Sequence, residues 1–179
     1  MKAKTVANYI RYLAEVYEDS DLTSLKLQKL LYYSYAFYLV FKDERLFDSK
    51  IEKWTHGPVV PDIWQITDKE DFLINPIEGN PRSELSKDQK IIIEDVFKVY
   101  GRYAGWTLRN MTHAESPWNN AHTNELITDE SLRNFFEPKK NEFIFELECI
   151  EDLEDIKIAN SDPNDIGVEW EDLKARLNA

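Results

Sequence analysis

Residues 23–42 read TSLKLQKLLYYSYAFYLVFK, and this stretch decides the fold class. It is long enough for five helical turns at 3.6 residues each, and Gly and Pro are absent from it. Its first turns are amphipathic: Leu27, Leu30 and Leu31 share a face, with Lys26, Gln28 and Lys29 elsewhere. Its second half is not. Tyr32, Tyr33, Tyr35, Phe37, Tyr38, Leu39, Val40 and Phe41 cover nearly the whole circumference. A helix apolar all round is either enclosed by its own protein or keeps one face for something else. Burial is the usual fate of aromatic side chains, so the helix is expected at the centre of the core. If a face is kept open for a partner, Tyr33 and Phe37 are the residues expected on it.

Further helices flank this one. Val6, Tyr9, Ile10, Leu13, Ala14 and Tyr17 follow the i, i+3, i+4, i+7 rhythm, with Thr5 as the expected N-cap and a break at residues 18–21. Residues 46–54 alternate weakly, as a short strand or extended arm. Gly57-Pro58-Val59-Val60-Pro61 then interrupts regular structure, and Pro61 suits the first position of a short helix holding Ile63, Trp64 and Ile66. Residues 74–86 read as a loop. Ser86-Lys87-Asp88-Gln89 is a capping box that opens a helix placing Ile92, Val96, Val99 and Tyr100 together, ended by Gly101 or Gly105. Helices over 107–112 and 129–136 are expected, with a short turn between them that starts at Ser116 as N-cap and Pro117.

Past Pro138 the composition shifts. From Glu137 onward there are 13 acids and 5 bases, so this extension carries −8 of the total −12. Glu142 to Glu148 alternates acid and apolar residues in a strand-like pattern, 159–167 is turn-rich, and Ile166, Trp170, Leu173 and Leu177 line up on one face of a terminal amphipathic helix. The expectation is a mainly α protein: a compact helical domain over 1–136 with a small β element, and an acidic strand-helix extension over 137–179. The extension either packs on the domain or binds a partner. Trp170, Leu173 and Leu177 are its candidate anchors, since Trp is prominent at interface hot spots.

The net charge of −12 on 179 residues disfavours phosphate backbones and anionic membrane surfaces. One cysteine, Cys149, excludes an internal disulfide framework and suits a reducing cytoplasm. No apolar run reaches the ~20 residues of a membrane span. Chemistry is hard to find. His56, His113 and His122 lack the spacing of local metal-ligand pairs, so neither a metal nor a cofactor is expected. Cys149 sits among acids, which disfavours a thiolate nucleophile. No nucleophile elbow or phosphate-binding glycine loop is present. Thr107-Leu108-Arg109-Asn110 is the nearest approach to a DNA-reading helix, and no basic surface follows it. A protein-binding module fits best. The rivals are a metal-dependent or hydrolytic enzyme using His56 and His113, and an acidic transcriptional regulator.

Three segments sharpen that reading. The first is Thr23 to Tyr33, with Lys26, Leu27, Gln28, Lys29, Leu30 and Tyr32. The second is Phe47 through Trp54-Thr55-His56-Gly57-Pro58-Val59-Val60-Pro61. The third is Leu108 to Trp118, with Thr112-His113-Ala114-Glu115-Ser116-Pro117-Trp118. Together and in order, over residues 5–122, they resemble the Panacea domain, the family of SocA-like antitoxins and phage-associated GepA-type proteins. The resemblance implies a mostly helical cytoplasmic protein that neutralises a cognate toxin by binding it, in some members also passing it to a ClpXP-type protease. It implies no catalytic residue. The motif residues look structural, with Gly57-Pro58 shaping a turn, Trp54 and Trp118 as core anchors, and His113 hydrogen-bonding near a helix end.

Overall fold

The structure is a computed structural model and describes residues 1–69, 72–77 and 79–152. The chain order is α1 (Ala3–Val16), α2 (Ser24–Lys42), a hairpin of β1 (Glu52–Trp54) and β2 (Gly57–Val59), α3 (Pro61–Lys69), α4 (Lys87–Tyr100), α5 (Gly105–His113), α6 (Ser116–Asn120), α7 (Asp129–Phe136) and α8 (Lys140–Asp152). Short 3-10 turns lie at Pro81–Glu84 and Glu137–Lys139. The protein is mainly helical with one small antiparallel sheet, as the sequence led us to expect.

Helix α2 is the axis of the packing. Thr23 caps it by accepting from the Lys26 N–H, and every residue from Lys26 to Val40 is buried. It packs against α1, α3, α4, α5, α7, α8 and the hairpin. The all-round apolar pattern therefore means enclosure. Tyr33 and Phe37, the residues expected to face a partner, are 0% and 1% exposed. Tyr33 stacks on Tyr100 with centroids 3.9 Å apart, and Phe37 stacks on Phe143 at 4.0 Å and meets the edge of Phe136 at 5.2 Å. That face is covered by α4, α7 and α8 of the same chain.

Local signals set several boundaries. The Ser86–Gln89 capping box forms and starts α4, Pro61 opens α3, and Thr128 caps α7 at Asp129. Others differ from expectation. Helix α1 starts at Ala3, and the Thr5 hydroxyl, expected as a cap, instead donates to Glu84. Gly57-Pro58-Val59 is strand β2, paired with β1 in the register Glu52 with Val59, Lys53 with Pro58 and Trp54 with Gly57. The position before α6 is taken by Glu115 rather than Ser116.

The main correction concerns residues 142–148, which form part of α8 and not a strand. In a strand Phe143, Phe145 and Leu147 would share one face. Here Phe143 and Leu147, four residues apart, are 4% and 1% exposed while Phe145 is 65% exposed. Phe143 and Leu147 close over α2 and α4 while Phe145 between them stays exposed, a split that a two-residue period cannot make. The expected terminal helix with Trp170, Leu173 and Leu177 lies outside the described residues.

The two phenylalanines of α8 should respond differently to truncation. Phe143→Ala is expected to cost about 3–5 kcal/mol, and Phe145→Ala to stay within about 0.5 kcal/mol of wild type, measured by urea unfolding. Equal losses would restore the strand reading.

Candidate functional site

Burying α2 creates a polar problem: Lys26, Gln28, Lys29, Ser34 and the tyrosine hydroxyls go with it, and an unpaired buried polar group costs a few kcal/mol. The chain answers each of the motif groups from elsewhere. Lys26 pairs with Asp19 at 2.7 Å. The Gln28 amide grips the backbone of Val60 at both ends, accepting from its N–H at 2.8 Å and donating to its carbonyl at 3.5 Å. Lys29, 0% exposed, donates to the Pro58 carbonyl at 2.9 Å. Tyr32 and Tyr33 both donate to the Glu115 carboxylate, each at 2.8 Å. Three quoted segments thus meet as donor and acceptor around one helix.

The hairpin turn is shaped by Lys29. Gly57 has φ +102°, a conformation L side chains rarely adopt. A Cβ there would sit 2.6 Å from the Lys29 Cε and 2.9 Å from the Thr112 hydroxyl oxygen. The glycine is what lets the lysine stem pass beneath the turn. Pro58 and Val59 are buried with it, and Thr112 donates back to the Arg109 carbonyl at 2.9 Å.

Beyond the turn the surface is aromatic and basic. His113, the last residue of α5, stacks on Trp118 with centroids 3.6 Å apart. Trp118 donates to the Trp54 carbonyl at 3.2 Å, and the Lys53 ammonium lies over its ring at 4.3 Å. Pro117 is buried, but Trp54 and Trp118 are only half-buried. They buttress the hairpin against α6; Trp118 packs on the edge of the core, as an anchor there would, while Trp54 lies outside it. His113 does not make the expected side-chain hydrogen bond: its Nε2 is buried with no partner. Asn119 bonds to its backbone carbonyl instead, at 2.9 Å.

Electrostatics sort these groups. Burial pushes Glu115 up to about 7, against the two tyrosine hydrogen bonds that pull it down. Burial, with Arg109 nearby, lowers Lys29 to about 7. Burial also lowers His113 to about 4, helped by the positive charges of Arg109, Lys29, His56 and Lys53. His56 thus adds to a field around His113 that repels a cation. Among the described residues no group of three or more His, Cys, Asp or Glu side chains is placed to hold a metal ion. No helix among them is long and apolar enough to cross a membrane.

The sequence reading missed Glu115 as the partner of both tyrosines, and Trp106 altogether. Trp106 is 61% exposed on α5, with His56 edge-on to its ring at 5.6 Å and the Arg109 guanidinium 6.0 Å from its centroid. An exposed Trp three residues before an Arg on one helix was the available signal.

Two measurements probe this centre. Gly57→Ala is expected to destabilise by about 1–3 kcal/mol from backbone strain alone, read as a lowered Tm. Glu115 holds its proton more tightly folded than unfolded, so its contribution to stability is full at low pH. It is lost as pH rises from about 4.5 to about 7, at no more than about 1.4 kcal/mol per unit. The stability difference between wild type and Glu115→Gln should therefore shrink over that window, in melts at matched ionic strength. A constant difference would place the ionised carboxylate in the native state throughout.

Comparisons with known proteins agree on one relationship. The family described as "Antitoxin SocA-like, Panacea domain" matches residues 27–119, a span that contains α2 beyond its first turn, the hairpin and the Trp118 motif. Antitoxin SocA of Caulobacter vibrioides is 32% identical over 128 residues, 65% of this chain and 68% of that protein. No solved structure matches the chain significantly. The matched span holds Gln28, Lys29, Tyr32 and Tyr33 of α2 together with the Val60, Pro58 and Glu115 groups that satisfy them, and by these two matches the chain belongs to the SocA-like, Panacea-domain family of antitoxins.

Proposed function

We propose that this protein is the antitoxin of a toxin–antitoxin pair, acting in the cytoplasm by binding its cognate toxin directly and without catalysing a reaction. The observation that carries this reading is the 32% identity to Antitoxin SocA across 128 residues. The internal chemistry supports a binding role. The buried acid Glu115 is engaged by two tyrosines, and Lys29 is enclosed under a hairpin. The −12 charge adds a kinetic advantage, because it steers a basic toxin toward encounter. The toxin is expected to be encoded beside this chain.

The test is co-expression with the neighbouring reading frame. That frame alone should arrest growth, and this chain should restore growth and co-purify with it as a stable complex. A harmless neighbour that forms no complex would overturn the reading. Toxin half-life in the rescued cells separates two modes of action. An unchanged half-life means inhibition by binding alone, and a shortened one that depends on a ClpXP-type protease means that the antitoxin also delivers its partner for degradation.

A further inference from the structure

The described structure contains one group of basic side chains that no acid answers. Lys29, Lys53, His56, Arg109 and His113 lie around the hairpin and α5, and the first four add their field to the burial that lowers His113. None has a carboxylate partner among the described residues. Lys29 bonds to a carbonyl, Lys53 to the carbonyls of Asn119 and Ala121, and Arg109 to the Asn110 side chain at 3.0 Å. Two nitrogens, Arg109 Nε and His113 Nε2, are buried with no partner. In a chain with 34 acids and 22 Lys and Arg, a concentration of basic groups with no carboxylate among them runs against the composition.

The exposed edge of this group has the make-up of a binding hot spot. Trp106 stands 61% exposed, flanked by exposed His56 at the hairpin turn and by Arg109 on the same helix. Trp and Arg are the residue types that most often dominate interface energetics. The other large exposed apolar residues, Ile74, Leu126 and Phe145, have no such company.

We propose that the face formed by His56, Trp106 and Arg109 is where the toxin docks, through a segment that offers carboxylates to Arg109 and His56 and an apolar side chain to Trp106. This rests on the antitoxin reading above. A carboxylate at this place supplies the counter-charge that Arg109 lacks, and unlike a bare surface ion pair it acts on a guanidinium that is already partly sheltered from water. A long phosphate polymer would meet the field of the whole acidic protein. A partner that is basic overall, with one acidic loop, satisfies both the far field and the site.

The experiment uses the full chain and the purified product of the neighbouring reading frame. Arg109→Glu should weaken the complex about 100-fold or more and Trp106→Ala about 10-fold or more. Ile74→Ala and Phe145→Ala should leave it within about twofold, and both site variants should keep the wild-type Tm. Growth rescue should fail in the same order. Wild-type binding that survives Arg109→Glu and Trp106→Ala overturns this inference and leaves the antitoxin function standing. So does loss confined to the double variant Trp170→Ala, Leu173→Ala, which moves the interface to the C-terminal segment. Inorganic phosphate that binds the isolated chain through Arg109, with toxin affinity unchanged in Arg109→Glu, also overturns it and assigns the cluster to a free anion. A wild type that binds no neighbour removes the antitoxin reading, and this inference with it.

Discussion

The structure depends on one constraint: a helix with no face to water must have its charged and amide groups met by the rest of the chain, and of its side chains Ser34 Oγ alone is buried without a partner. Helix α2 buries two lysines, a glutamine, a serine and several tyrosines along with its leucines and aromatics. Apolar burial alone gives each side chain about 1.5–3 kcal/mol, but an unanswered ammonium or amide takes back a comparable amount. The helix can sit at the centre only because Asp19, Pro58, Val60 and Glu115 reach it with matching donors and acceptors. Chain elements far apart in sequence are fixed by that requirement.

This accounts for the three matched segments in physical terms. The Leu-Lys-Leu-Gln-Lys stretch presents the polar groups, the Gly-Pro-Val stretch presents the backbone that two of them bind, and the segment around Glu115 presents the carboxylate for the tyrosines. A change in one segment leaves a buried group orphaned in another, so they behave as one unit. Most motif residues therefore hold the scaffold together. The surface they support is narrower: the hairpin turn brings His56 beside α5, where Trp106 and Arg109 stand.

Much of this was legible in the sequence, for reasons that differ by element. The α2 pattern could only mean a central helix or an open binding face. Ser86 with Gln89, and Pro61, act through local hydrogen bonds and fixed dihedrals, which a linear reading sees. Residues 142–148 misled because acids alternating with Phe143, Phe145 and Leu147 fit a period of two, while the burial of Phe143 and Leu147 obeys a period near four. Tertiary packing against α2 chose between them. Tyr33 and Phe37 were the residues on which the question of α2 turned, since nothing local says that α8 covers their side of the helix. Glu115 was invisible as a partner because it lies 82 residues from Tyr33. Its own neighbourhood suggested only a helix start.

The enclosure of α2 also orders events in time. The residues that close over its aromatic side, from Tyr100 through Phe136 to Phe143 and Leu147, are translated long after Lys42. At about 5–20 residues per second, the ribosome works for several seconds to some twenty seconds with α2 made and its aromatic side not yet fully covered. During that interval the nascent chain displays a sticky aromatic helix, a natural target for chaperones and proteases. A polypeptide released early keeps that helix bare. The topology thus sets a condition on synthesis: only a chain made through α8 can cover the aromatic side of its own central helix.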